Sequence, residues 1–544
     1  MRSAAILLAG LGSVLAAPLW AREVVDAAAP SDIAVTIYRD PDRGEDEKLN
    51  RDNPRGLAMI SETRRVTLPK GESTIRFEGV AEGMIGISAI VTGLPGGTIE
   101  KNRNAALLSP ASLVDGTLGN RVTITRMNPA TGQQVSESAV VRTRADGGLV
   151  LQTGQGFEAV QCSGLPETLT FDRVPAGLSA APVFSVDTRS AEGGTYDVTL
   201  TYLAWGFDWQ ANYVGTLKER GAKAQGDEFE MGLLSWLTLV NDNGQSFDNA
   251  RLQIVAGELN VESDYESLAD PPVAEELYLT CYPLGSTSAG GIPELVPPPP
   301  PAPPMLLDLP MPAAAIVVTG SRLEARSYDI VAPVSVVTAS EEDLGDLKLF
   351  RVPGRIDVSA KGMKQVAFLN KEAVKGRLLY EASCSPDRWI GQQVDPLPAG
   401  MLLVTKNEEK KGLGTALPQG GLTLYEPSPR GERLAGSTSL RDYARGQDIE
   451  LDLAPSTQVF ARCASLSEKG RAEGRQWNAM RAVLSNANPH PVKMRLQLGW
   501  AGGWQVRFPG QKAVVKNGWQ TVELTLPANS EKTFDWKLRD ATAE

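Results

Sequence analysis

Hydrophobic and polar positions alternate most strictly between Tyr202 and Leu259. Trp205, Phe207, Trp209, Ala211 and Tyr213 fall on one side of a period of two, and Ala204, Gly206, Asp208, Gln210 and Asn212 fall on the other. Successive side chains of an extended chain point to opposite faces, so this pattern predicts a half-buried β-strand. A second run, Gly232 to Val240, is apolar on both faces apart from Ser235 and Thr238 and ends in Asn241-Asp-Asn-Gly244, a turn signal. A third run sets Ala250, Leu252, Ile254 and Ala256 against Arg251, Gln253 and Val255. Three strands joined by turns predict the centre of an antiparallel sheet.

The same period recurs along the chain. Ile33, Val35 and Ile37 alternate, and Arg64–Leu68, the turn Pro69–Gly71 and Ser73–Phe77 read as strand, turn, strand. Short strands are expected at 87–92, 121–127, 139–144, 150–153 and 195–200, with a short helix over 104–113 and a hairpin loop over 215–225. Beyond Ser340 the pattern continues to Leu538. Turn signals recur at the spacing of sandwich folds. The fold class is therefore all-β: two or more antiparallel β-sandwich domains with a Pro-rich insertion. Its core, Pro297–Pro304, must be extended polyproline and reads as a spacer. Boundaries follow: an N-terminal β domain over 22–185, a central sandwich over 186–292 and 316–400 interrupted at 293–315, and a C-terminal sandwich over 401–544.

Composition narrows the class. With 544 residues the chain is too long for one core. Its net charge of −11 argues against nucleic-acid binding, which needs a basic surface to displace counterions. Arg2 followed by the apolar Ala4–Ala17 reads as a secretory signal over 1–21, with Ala16, Ala17 and Ala21 as candidate small residues before cleavage. No other run approaches spanning length, so no transmembrane segment is expected after its removal. Export to the periplasm or the outer-membrane periphery of a Gram-negative bacterium follows. Four cysteines, Cys162, Cys281, Cys384 and Cys463, could make two disulfides there. Cys384 and Cys463 both stand at strand ends and form the favoured pair.

Tyr202 to Tyr213, Trp236 to Asn241 and Phe247 to Gly257 together resemble bacterial proteins of the domain-of-unknown-function 4139 family, some of which are labelled mucoidy-inhibitor-like. Val35–Arg39 and Val66–Gly71 are similar to the N-terminal domain that accompanies it, and Leu347–Pro353 with the C-terminal strands fits the second half. The resemblance spans most of 32–540 and implies the fold; it brings no catalytic residues. Two departures stand out: 100–190 hold no sustained heptads where many relatives carry a coiled coil, and the Pro-rich insertion is not a core family feature. Separately, Ile316–Arg322 resembles the segment that opens the plug of TonB-dependent receptors, which would imply an energy-coupling partner.

Catalytic chemistry finds few handles. The single histidine, His490, lies between Pro489 and Pro491 at a turn, and no Gly-x-Ser-x-Gly elbow or phosphate-binding loop occurs. Asp40–Arg55 is charged and reads as a solvated loop; Asp40-x-Asp42-x-Gly44 is only a fragment of a calcium loop. No catalytic, cofactor-binding or metal residues are assigned, and no cofactor is expected. Candidate ligand contacts are Asp208 and the indoles Trp205 and Trp209, which would stack on sugars if exposed; a structural hydrogen bond is the favoured reading of Asp208, and core packing that of the indoles. The leading expectation is an exported envelope protein that binds or scaffolds, its partner an envelope protein or a polysaccharide. The alternative is a carboxylate-dependent glycan hydrolase, with Asp208 in an acid-lined cleft.

Overall fold

The computed structural model describes residues 22–541 except 45, 105–106, 129, 144–145, 148, 161–166, 176–177, 219–227, 258–264, 270–277, 280–337, 346, 387–394 and 467–475. The segment 1–21 expected to be a signal, the Pro-rich stretch, Ile316–Arg322, Cys162 and Cys281 lie outside the described residues. The chain is almost entirely β, as its alternation requires. It divides into two compact units: one holds 1–105, 181–272 and 336–544, the other 106–180 and 273–335.

The first unit is built on a strand of 24 residues, Gly194–Leu217. Its first half pairs antiparallel with Gly56–Leu68, through Thr195↔Thr67 to Trp205↔Leu57. Its second half pairs antiparallel with Glu228–Asn241, through Phe207↔Asn241 to Leu217↔Met231, and parallel on the other edge with Gly420–Ser428. The strand changes neighbours at a bulge between Trp205 and Phe207, where Gly206 takes φ +86°. That left-handed conformation is open to glycine and strained for other residues.

The bulge reverses the faces. Val198, Leu200, Tyr202 and Ala204 are buried before it; Phe207, Trp209, Ala211 and Tyr213 are buried after it. An extra residue slips the period by one, which moves every later side chain to the other face. Trp205 therefore does not share a side with Trp209, as uninterrupted alternation predicts. It packs half-buried against a small cluster of Leu57, Ile85 and Ala269.

A second long strand, Gly362–Ser383, pairs with Glu228–Asn241, then with Gly400–Lys406, and finally runs parallel to Val492–Trp500. It passes from the large core around Trp209 and Tyr213 into a second core around Met480, Leu496 and Trp536. Tyr380 and Cys384 belong to that second core. The boundary drawn at 400 from the sequence thus has no counterpart: one unbroken strand supplies both cores. Cys384 and Cys463 form a disulfide with Cα atoms 5.5 Å apart, the pairing favoured from the sequence.

The second unit has a five-stranded sheet, in the order Gly156–Ala159, Val150–Thr153, Gln134–Val141, Arg121–Met127, Glu167–Thr170. Val122, Ile124, Ala139, Val141 and Leu151 fill its core with Val114 of a helix. That helix spans Pro110–Gly116, not 104–113, because Ser109 caps it and Pro110 begins it. The residues upstream, Glu100–Asn104, are a strand of the first unit, paired with Val183–Ser190 in the register Asn104↔Val183. Residues 106–180 are therefore an insertion at the tip of a hairpin, so the boundary at 185 also has no counterpart.

Candidate functional site

Asp208 lies between Phe207 and Trp209 and is buried with them. The outer face of the strand should leave it in water, but the loop from Asp40 to Arg55 folds over it. Arg43 reaches in from that loop, pairs with the Asp208 carboxylate and donates to the Trp209 carbonyl at 2.9 Å. Both side chains of the pair are 2% exposed, so neither has water as an alternative partner. The other Asp208 oxygen accepts from the backbone N–H of Trp209 at 2.8 Å and of Asp40 at 3.1 Å. Burial still dominates and pushes the carboxyl up to about 6, against the pull of Arg43 and the two backbone donors.

The loop is held at three further points. Arg39 makes a two-pronged ion pair with Asp442, at 2.7 and 3.2 Å. Gln419 donates to the Gly44 carbonyl, and the Leu49 N–H donates to Gln210 at 3.0 Å. Its outer residues are solvated as composition predicts, but Arg39 and Arg43 are buried anchors that composition does not reveal.

Beneath this loop the polar face of the central strand opens into a hollow of about 640 Å³. Gln210, Asn212 and Thr238 stand on one side of its floor, and Thr423, Ser437 and Ser439 continue it on the neighbouring strands of the same sheet. Asp46, Glu47, Lys48 and Arg51 of the loop form the rim, two charges of each sign. Asn212 donates to the Thr238 hydroxyl at 2.8 Å, and Gln365 donates to the same oxygen at 3.2 Å. The opposite faces of these strands pack Trp209, Ala211, Tyr213, Leu422 and Leu424 into the large core, which makes the polar wall rigid. Such a surface can bind by hydrogen bonds.

The three candidate contacts therefore separate. Trp209 is fully buried and offers no face for a sugar; its strand serves the site through Gln210 and Asn212. Asp208 is sealed beneath the loop and positions Arg43. Trp205 lies on the face opposite Trp209, packed against Leu57, Ile85 and Ala269. The alternation that predicts Trp209 inside also places Gln210 and Asn212 outside, but nothing local shows that Thr238, Thr423, Ser437 and Ser439 from distant strands join them.

The structure does gather acids elsewhere. Arg495, 2% exposed, meets Glu450 at 2.8 and 2.9 Å, Glu523 at 3.3 Å and Glu381 at 3.4 Å. Burial raises the Glu381 carboxyl above its ordinary range. Burial also works to raise Glu450, but Arg495 and Lys516 outweigh it and hold that carboxyl low. Arg377 makes a two-pronged pair with Glu523, at 2.9 and 3.0 Å. The carboxylates thus share cations with one another, which is the arrangement of a structural network. Among the described residues no group of three or more His, Cys, Asp or Glu is placed to hold a metal ion, and no helix is long and apolar enough to cross a membrane.

In comparisons with known proteins, no family model matches the chain and no curated protein is similar to it.

Proposed function

We propose that this chain is an exported protein of the bacterial cell envelope that acts by binding, without catalysis, and that its partner is held in the polar hollow beneath the Asp40–Arg55 loop. One observation carries the reading: a wall of amide and hydroxyl side chains on a sheet locked from behind by an aromatic core. Preorganised hydrogen-bonding groups bind without further loss of side-chain freedom, and a rigid sheet is a better platform for them than a loop. The buried disulfide supports an oxidising compartment, as does the apolar N-terminal segment. The residues resembling the domain-of-unknown-function 4139 family fit this reading, because that resemblance brings a scaffold and no catalytic set.

The experiment is capture from envelope extracts with two immobilised proteins, the wild type and Gly421→Trp. Gly421 lines the hollow, and a Cβ there would meet no atom within 4 Å, so the backbone accepts a side chain whose indole then occupies the hollow. Material retained by the wild type and lost from the variant supports the proposal. Identical retention by both contradicts it.

A further inference from the structure

Resting on the reading of the hollow as a binding site, we infer that its ligand is an extended, uncharged polysaccharide lying across the strands. The inference comes from strand register. Gln365 is paired with Thr238, Thr238 with Gln210, Asn212 with Gly421, and Gly421 with Ser439. Paired residues stand on the same face of a sheet, and Gln210 and Asn212 are two apart on one strand. The result is a row of neutral hydrogen-bonding groups crossing five strands, with a gap at Gly421 where a side chain would block it. Five strands at about 4.8 Å spacing make a row of about 19 Å, the length of a short oligosaccharide and not of a single ring.

The chemistry of the row selects the class. Amides and hydroxyls donate and accept, as sugar hydroxyls do. The rim carries Asp46 and Glu47 against Lys48 and Arg51, so it offers no excess of either sign to a charged polymer. A peptide would bind such a sheet by adding a strand at a free edge. Gly194–Leu217 and Gly420–Ser428, which form the floor, are paired on both edges. Trp236 stands on the same face, paired with Asn212, and supplies a half-buried apolar surface of the kind that the C–H face of a sugar ring covers.

Calorimetric titration of the mature full chain tests the inference, with cellohexaose, chitohexaose and hexagalacturonate as probes at 50 and 500 mM NaCl. A neutral hexamer is expected to bind with an affinity that changes less than about twofold between the two salts. Gly421→Trp and Ser439→Trp should each abolish that binding. Asn212→Ala should weaken it about tenfold, the scale of one lost hydrogen bond to a buried partner. Near-UV circular dichroism establishes that each variant is folded. Binding of hexagalacturonate alone with an affinity that falls steeply in salt, binding of no hexamer, or neutral binding that survives both tryptophan substitutions overturns the inference. Failure here combined with envelope material still lost from Gly421→Trp would leave the hollow as a binding site for another ligand. Failure of both would remove the proposed function too.

Discussion

Asp208 and Arg43 show how a residue's task is decided by a partner far away in the chain. An acid between Phe207 and Trp209 invites attention in the sequence. Its partner lies 165 positions away in a loop that composition assigns to solvent, so nothing local announces the pair. The consequence is measurable. Burial pushes the Asp208 carboxyl to about 6 from an ordinary 3.8, so the folded state holds that proton more tightly than the unfolded chain. Its contribution to stability is therefore complete below about pH 3.8 and is lost as pH rises through about 6. Arg43→Met removes the guanidinium and leaves a buried carboxylate unpaired, a loss of about 3–5 kcal/mol at pH 8. At pH 4 the carboxyl is neutral and much of that loss should disappear. Urea denaturation of both proteins at the two pH values measures it; an equal loss at both would contradict the account.

At the scale of elements, the period-two pattern is a reliable guide to where strands run and a poor guide to where one stops being straight. The strands at Gly232–Val240 and at 250–256 were legible because each keeps one set of alternate positions against the large core along its length. Gly194–Leu217 has two, and the switch at Gly206 was not legible: a glycine inside an alternating run looks like any small residue. Yet that glycine decides which indole is dry. It approaches Asn243, whose side chain donates to the Trp205 carbonyl at 3.0 Å and accepts from the Gly83 N–H at 2.6 Å. Gly206→Ala places a Cβ about 3.1 Å from the Asn243 amide nitrogen and forces alanine to φ +86°. A destabilisation of about 1–3 kcal/mol is expected from that backbone strain, read as a shift of the urea midpoint without a change in slope. An unchanged midpoint would show that the bulge relaxes. The helix boundary has a similar lesson: Ser109-Pro110 was a start signal in plain view, and it fixes the helix six residues later than the hydrophobic run suggests.

For the molecule as a whole, the all-β class was legible because strand and turn signals repeat everywhere. The order of units was not, because sequence neighbours need not be structural neighbours. Asn104 and Val183 are paired in one hairpin, and a complete sheet with its own core is spliced between them. Replacing residues 106–180 by a short Asn-Gly linker should therefore leave the first unit folded, since among the described residues its strands and cores draw on none of that stretch. Thermal unfolding of the shortened chain should remain cooperative; loss of cooperativity would show that the insertion completes the first unit.

The most direct test of the central claim is a ligand footprint by hydrogen–deuterium exchange, comparing the free chain with the chain saturated by the material it retains from envelope extracts. Slowed exchange confined to the Asp46–Arg51 loop and to 210–214, 236–238, 365, 420–423 and 437–439 is the predicted result. Slowed exchange elsewhere, with these segments unchanged, would contradict the claim that the hollow is where this protein does its work.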